Sequence, residues 1–113
     1  MMMNINGMAR GYMAKNMKPE PFLKQVTSVI ERQLREFDDN ASVEIRKMHG
    51  KFFVMVHYDE ESYALMLTEE FISEHQQKSP YSLDRYVWGQ LNVLGLKVEG
   101  ESGYLEVVFR ITV

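Results

Sequence analysis

Three β-strands are predicted between residues 42 and 67, which read SVEIRKMHGKFFVMVHYDEESYALML. Two runs rich in β-branched and aromatic residues flank His49-Gly50, and glycine tolerates the positive φ that a two-residue hairpin turn requires. This turn length places Ile45 opposite Val54, and a shift of one residue would move every side chain to the other face. The pattern therefore predicts an antiparallel hairpin with one apolar face.

A third strand is predicted at residues 63–67, after a four-residue turn that reads DEES. This turn would place Tyr63 opposite Tyr58 and keep the apolar side chains of both strands on one face. The alternative is a helix over residues 60–77, which the propensities of Glu, Ala, Leu and Met permit. We prefer the strand, because the helix would direct Leu65 away from its apolar stripe.

Helical periodicity surrounds these strands on both sides. Residues 20–37 repeat apolar side chains every three or four positions, which indicates an amphipathic helix that packs on the core. Two shorter helices are predicted at residues 69–78 and 83–94, with Thr68 and Ser82 as their N-caps. The glycine that follows residue 94 supplies a C-terminal stop.

The C-terminal part is predicted to form a second hairpin, with strands at residues 96–99 and 104–113. Apolar side chains alternate with polar ones along the second strand and comprise Leu105, Val107, Phe109, Ile111 and Val113. The predicted fold class is therefore α+β, an antiparallel sheet of about five strands with helices packed on one face. The predicted element order is α-β-β-β-α-α-β-β.

The chain is predicted to divide into an N-terminal arm and one domain. Residues 1–19 form a methionine-rich basic arm, with six of the nine methionines, three basic residues and no acidic residue. Residues 20–113 form a single α+β domain. The arm carries +3 and the whole chain carries −3, so the domain carries −6. Two structures for the arm remain open, a mobile leader or a helix docked through its methionines.

The composition excludes several classes of function. Because the chain has no cysteine, it has no disulfide, thiolate nucleophile or sulfur-ligated zinc site. An acidic domain binds polyphosphates poorly, so nucleic acid is not an expected partner. No apolar window reaches the length of a membrane span, and the N-terminal residues lack the continuous apolar core of a signal peptide. We therefore expect a cytoplasmic protein without a membrane partner.

The sequence lacks four common motifs for catalysis or cofactor binding. The patterns GxGxxG, GxxxxGK[ST], GxSxG and HExxH are absent. The three histidines fall on a turn, a strand and a helix without the spacing of metal ligands, so no metal site is expected. On a strand, His57 and Tyr58 point to opposite faces, which argues against a joint site. We therefore expect no cofactor and name no catalytic residue.

One face of the predicted sheet carries a candidate interaction site. If helices cover the valine-rich face, then Phe53, Met55, His57 and Met66 lie together on the other face, with charged residues at the margin. A large exposed apolar cluster marks an interaction site more often than a chance arrangement. Two interpretations of the cluster remain open: the arm or a helix covers it, or it is the interface with a second copy or a protein partner.

A second candidate is Trp88, which lies off the apolar stripe of its helix beside Arg85. Tryptophan and arginine are enriched at binding hot spots, so the two residues are a possible surface anchor. The alternative is that Trp88 packs against a neighbouring helix.

Two functions follow from these patterns. The leading hypothesis is a non-enzymatic protein–protein interaction module that self-associates through one sheet face. The alternative is a small-ligand-binding protein or enzyme that uses a pocket between the sheet and the helices, with His57, Tyr63 and Tyr86 as its polar groups.

Overall fold

The computed structural model describes residues 7–97 and 103–110, and over this range it contains five α-helices and one three-stranded antiparallel sheet. In chain order the elements are α1 (Gly7–Asn16), α2 (Pro19–Leu34), β1 (Ser42–Met48), β2 (Lys51–Tyr58), β3 (Glu61–Thr68), α3 (Glu69–Lys78), α4 (Ser82–Val93) and α5 (Gly103–Arg110). The expected sheet of about five strands is therefore wrong. The predicted order is wrong as well, since the observed order is α-α-β-β-β-α-α-α.

β2 lies at the centre of the sheet, between β1 and β3. The first hairpin has the predicted register, with Ile45 opposite Val54. Its turn residues His49 and Gly50 have φ values of 52° and 77°, in the left-handed region. A two-residue turn with positive φ at both positions matches the right-handed twist of the strands that it joins, so the local sequence is sufficient to specify this hairpin.

β3 confirms the third predicted strand and excludes the helix over residues 60–77. Its register differs from the prediction, because Tyr63 lies opposite Val56 and not opposite Tyr58. The turn consists only of Asp59 and Glu60, with φ values of 52° and 66°, so β3 begins two residues earlier than expected. A shift of two residues leaves every side chain on its predicted face.

The two faces of the sheet differ sharply in exposure. The inner face contacts the helices and has a fully or almost fully buried set of side chains: Phe52, Val54, Val56, Leu65 and Leu67. Burial of each such side chain contributes about 1.5 to 3 kcal/mol relative to leaving it in water. The outer face consists of the intervening residues, and each of them is half-buried or exposed. The core therefore lies on one side of the sheet only.

α2 packs along β1, as its periodicity predicts, and buries Phe22, Val26 and Ile30. Pro19 occupies the first turn, where a missing amide donor has no cost. The Glu31 carboxylate of α2 accepts a hydrogen bond from the Val43 amide at 2.9 Å, so α2 also covers part of the β1 edge.

The caps of α3 and α4 match the sequence in part. The Thr68 hydroxyl accepts a hydrogen bond from the Phe71 amide at 3.1 Å, which confirms the predicted N-cap of α3. α4 instead has Tyr81 at its N-cap position without a side-chain cap, and Ser82 lies within the helix. Gly95, with φ of 110°, follows the C-terminal end of α4 as predicted.

The predicted C-terminal hairpin is wrong, because Gly103–Arg110 form the helix α5. Residues 98–102 and 111–113 lie outside the described residues, and with them the end of the first predicted strand, three residues of the predicted turn and the end of the second strand. The apolar run of residues 104–109 satisfies both a two-residue and a helical period, so the pattern alone could not separate the two structures. Helical spacing places Tyr104 and Val108 on one side, and Val108 is fully buried.

α1 contacts α3 and lies within the part that was predicted to be an arm. Its buried side chains are Arg10 and Ala14. The Gln76 amide nitrogen of α3 donates to the backbone oxygens of Ala14 and Met17, at 3.1 and 2.8 Å. Polar contacts thus hold α1 in place, whereas the division into an arm and a domain stays a prediction.

None of the described helices combines the length and the apolar character that crossing a bilayer requires.

Candidate functional site

The outer face brings together the four residues of the predicted interaction site. Phe53, Met55 and His57 alternate along β2, and Met66 lies opposite Phe53 on β3. Met66 is 49% exposed, whereas Phe53 and Met55 are half-buried by their neighbours in the sheet. The cluster is therefore an accessible apolar surface within the part of the chain that the structure describes.

Three residues of β1 extend this surface into a groove of about 420 Å³. Glu44 and Arg46 line its charged margin, as the alternation along β1 predicts. Met48 was not included in the predicted site, yet it is 52% exposed and lines the same groove. The strand register places it there, because residues at even positions of β1 point to the outer face.

His57 connects two polar residues on this face. Its Nε2 atom lies 3.2 Å from a carboxylate oxygen of Glu44, and its Nδ1 atom lies 2.9 Å from the Ser62 hydroxyl. A carboxylate only accepts, so Nε2 donates to Glu44, and in the neutral ring Nδ1 accepts from Ser62. The sequence did not indicate this serine–histidine–acid arrangement, because cross-strand pairing brings the three residues together.

The surroundings of this arrangement do not favour acyl transfer. Ser62 and His57 border a depression that is otherwise lined by Asp38, Asn40, Tyr58, Asp59, Glu60 and Glu61. Acyl transfer develops negative charge on an oxygen and needs preorganised donors to stabilise it. Four carboxylates around the serine oppose such a charge, and Glu44 is largely open to solvent. We therefore interpret the arrangement as polar cross-strand pairing.

Trp88 lies in the interior, which corrects the expected surface anchor. It is 4% exposed, and its ring nitrogen donates a hydrogen bond to the Tyr104 hydroxyl at 3.0 Å. Arg85 is half-buried, and its Nε atom donates to the Val108 oxygen at 2.9 Å. Both residues therefore attach α5 to α4, so Trp88 packs against a neighbouring helix.

A buried ion pair joins α1, α4 and α5. The Arg10 guanidinium pairs with Asp84, which is fully buried, and also donates to the Pro80 oxygen at 3.2 Å. The Tyr104 hydroxyl donates to the other carboxylate oxygen of Asp84 at 2.6 Å. Sequence analysis missed this network, because its three central residues come from three different helices.

The electrostatics of this network favour a structural role. Burial raises the pKa of the Asp84 carboxyl, and the positive charge of Arg10 opposes that shift. Burial and the adjacent carboxylate raise the pKa of the Tyr104 hydroxyl well above its ordinary value, so Tyr104 stays a hydrogen-bond donor. Arg10 and Asp84 are buried, and the three groups bind one another, so they fix the positions of the helices.

His75 forms a third polar centre, between α3 and α4. Its Nδ1 atom lies 2.5 Å from the Ser82 hydroxyl, and its ring is 4.4 Å from that of Phe71. Burial lowers the pKa of His75, and the positive charge of Lys78 lowers it further. Ser82 is buried, so this contact is a packing contact between the two helices.

The three polar groups of the predicted ligand pocket do not converge. His57 lies on the outer face of the sheet and Tyr63 on the inner face, while the Tyr86 ring packs 4.6 Å from Phe71. Fully buried side chains fill the space between sheet and helices at Phe52 and its neighbours. A cleft of about 290 Å³ instead lies among the helices, where Arg10 and Tyr104 reach it.

Among the described residues, no group of three histidine, cysteine, aspartate or glutamate side chains is placed to hold a metal ion. The chain matches no protein-family model, no curated protein and no solved structure.

Proposed function

We propose that this protein is a non-enzymatic interaction module that self-associates through the outer face of its sheet. The observation that carries the proposal is the exposed apolar groove lined by Met48, Phe53 and Met55, with the exposed Met66 opposite Phe53 on the neighbouring strand. Contact with water is unfavourable for an apolar surface of this kind, and contact with a second apolar surface is favourable.

Burial of the exposed parts of these apolar side chains in an interface would be favourable. Met48 and Met66 are each about half exposed, at 52% and 49%. Covering such a half-exposed side chain removes roughly half of its transfer free energy from water, about 1 kcal/mol for each methionine. Methionine also adapts its shape to an opposing surface, which suits an interface that forms and dissociates.

The charges at the margin are compatible with a second copy of the same chain. Glu44 and Arg46 lie on the same strand and on the same face, so the margin carries both signs. A surface with one sign of charge would repel its own copy, whereas a mixed margin pairs with itself.

The alternative, a ligand-binding protein or enzyme, has less support. His57, Tyr63 and Tyr86 occupy three separate surroundings, and acidic residues surround the one serine–histidine pair on the outer face. A catalytic or binding centre requires such groups to converge on one substrate.

The proposal is tested by measuring the molar mass of the full chain against concentration. Sedimentation velocity from about 10 to about 500 µM covers the dissociation constants expected of a small interface. We expect a reversible monomer–dimer equilibrium that Met55→Glu abolishes, because the new carboxylate would be buried without a partner.

Met8→Glu is the matched control, since Met8 is 85% exposed on α1 and lies outside the outer face. It makes the same change in charge and should leave the dimer intact. A monomer at every concentration would refute the proposed function, and so would an equal loss of the dimer in the two variants.

A further inference from the structure

We propose that the second copy stacks its outer face on the first with antiparallel strands, so that Glu44 of each copy faces Arg46 of the other. This inference rests on the proposed function and specifies its geometry. The two-fold axis lies between the two sheets and runs across the strands, midway between the levels of Glu44 and Arg46.

The register of the sheet defines the pattern on which the inference depends. From β1 through β2 to β3, the outer face contains four rows: Ser42, His57 and Ser62; Glu44, Met55 and Ala64; Arg46, Phe53 and Met66; Met48, Lys51 and Thr68. Successive rows are about 7 Å apart, because two residues separate them along each strand. The second and third rows form the centre of the face.

A two-fold axis between the central rows exchanges them. The second row of one copy then lies over the third row of the other, with β1 on β1, β2 on β2 and β3 on β3. Because the interface is isologous, each pair of facing residues occurs twice in the dimer and contributes twice to its stability. Sheets that stack face to face lie about 10 Å apart and within about 30° of alignment, which keeps the central rows in register.

Charge complementarity is the first reason for this arrangement. Among the described residues, the Arg46 side chain has no hydrogen-bond or ion-pair partner, although it lies beside Phe53 at the apolar groove. Glu44 contacts His57 through one carboxylate oxygen, so its second oxygen is available. The exchange of rows gives each Arg46 a carboxylate and each Glu44 a guanidinium.

Shape is the second reason. The same exchange places Met55 over Phe53, and a thioether against an aromatic ring is a favourable contact. It also places Ala64 over Met66, so that the longest apolar side chain of β3 meets the smallest. The outer rows, which are mainly polar, then form a rim around this centre.

The second arrangement with two-fold symmetry and aligned strands is less favourable. If the axis ran parallel to the strands, β1 of one copy would lie over β3 of the other. Glu44 would then face Ala64 and keep only its contact with His57, and Arg46 would face Met66 and be covered without a partner. Covering an unpaired charge costs more than the apolar contacts return.

The size of the face indicates a weak dimer. Three strands of seven or eight residues present an area of about 14 by 27 Å, or roughly 400 Å² for each copy. Stable interfaces bury about 800 Å² for each partner, so this contact belongs to the small, transient class. Measurements must therefore extend to several hundred micromolar.

The test is a charge exchange within the full chain. Glu44→Lys and Arg46→Glu each place like charges opposite one another twice in the dimer, and we expect each to weaken the dimer at least about tenfold. The double variant Glu44→Lys with Arg46→Glu restores both pairs and should recover the dissociation constant to within about threefold of the unmodified chain. Glu70→Lys on α3 is the control for net charge.

The outcomes separate this inference from the proposed function. Recovery in the double variant together with loss in both single variants supports the antiparallel stack. If the chain dimerises and Met55→Glu abolishes the dimer, but the single charge variants bind as well as the unmodified chain, the proposed function stands and this geometry is refuted. A double variant no tighter than the single variants refutes it equally. A chain that is monomeric throughout removes both.

Discussion

Replacement of Arg10 by methionine is expected to destabilise the fold by about 3 kcal/mol, because it leaves a buried carboxylate without its cation. Asp84 is fully buried, and Arg10 supplies its ion pair as well as a hydrogen bond to the Pro80 oxygen. Removal of one member of a buried pair costs about 3 to 5 kcal/mol. We expect the lower end, because Tyr104 still donates to Asp84 at 2.6 Å.

The pH dependence of this variant has a definite sign. Burial already raises the pKa of Asp84 above its ordinary value of 3.8, and loss of the Arg10 charge raises it further. A carboxyl with a raised pKa in the folded state favours folding when it is protonated, so its destabilising effect is full above the folded-state pKa. The deficit of Arg10→Met relative to the unmodified chain should therefore shrink as the pH falls towards 3.8.

Urea unfolding at several pH values measures both effects. The single tryptophan, Trp88, is a suitable fluorescence probe because its ring nitrogen bonds Tyr104 within the same network. The double variant Arg10→Met with Asp84→Asn is the matched control, since the amide keeps an acceptor for Tyr104 and removes the buried charge. It should recover at least about 1 kcal/mol of the loss. A deficit below about 1 kcal/mol, or one that does not change with pH, would refute this account of the network.

Two further predictions concern the C-terminal helix and His75. Val108→Ala should lower the free energy of unfolding by about 2 kcal/mol, because Val108 is fully buried, whereas Phe109→Ala should cost less despite the larger side chain, because Phe109 is 44% exposed. Chemical denaturation of both variants checks this, and the opposite order would indicate the alternating strand instead of α5. His75 has a pKa lowered by burial and by Lys78, so an NMR titration of its ring should have a midpoint below 6.5. Because the unfolded chain then binds the proton more readily, this group should reduce stability as the pH falls through 6.5, and a midpoint at or above that value would contradict the packing of His75 against Phe71.

Local signals predicted the β1–β2 hairpin and the presence of β3, but not the number of strands in the sheet or the register of β3. His49-Gly50 has the backbone freedom for a two-residue turn, and the alternation on either side of it follows from the period of a strand. The same alternation identified Phe53, Met55 and Met66 as residues of one face. These features depend on residues close in sequence, so no distant contact was needed to infer them.

The C-terminal segment and Trp88 could not be predicted in the same way. Residues 104–110 fit a strand and a helix, and the helix is stabilised by Tyr104, which reaches Asp84 across 20 positions of sequence. Trp88 lies off the stripe of α4, and it is buried because α5 covers it. Periodicity describes one element at a time and carries no information about which element will cover another.

The sequence by itself determined the β1–β2 hairpin with its register, the presence of β3 and the two faces of the sheet, because turn chemistry and a two-residue period act over a few residues. The tertiary structure alone decided that residues 103–110 are helical and that Arg10, Asp84 and Tyr104 meet. Burial of this charged pair requires three helices to pack together, and no local stretch of the sequence indicates that packing.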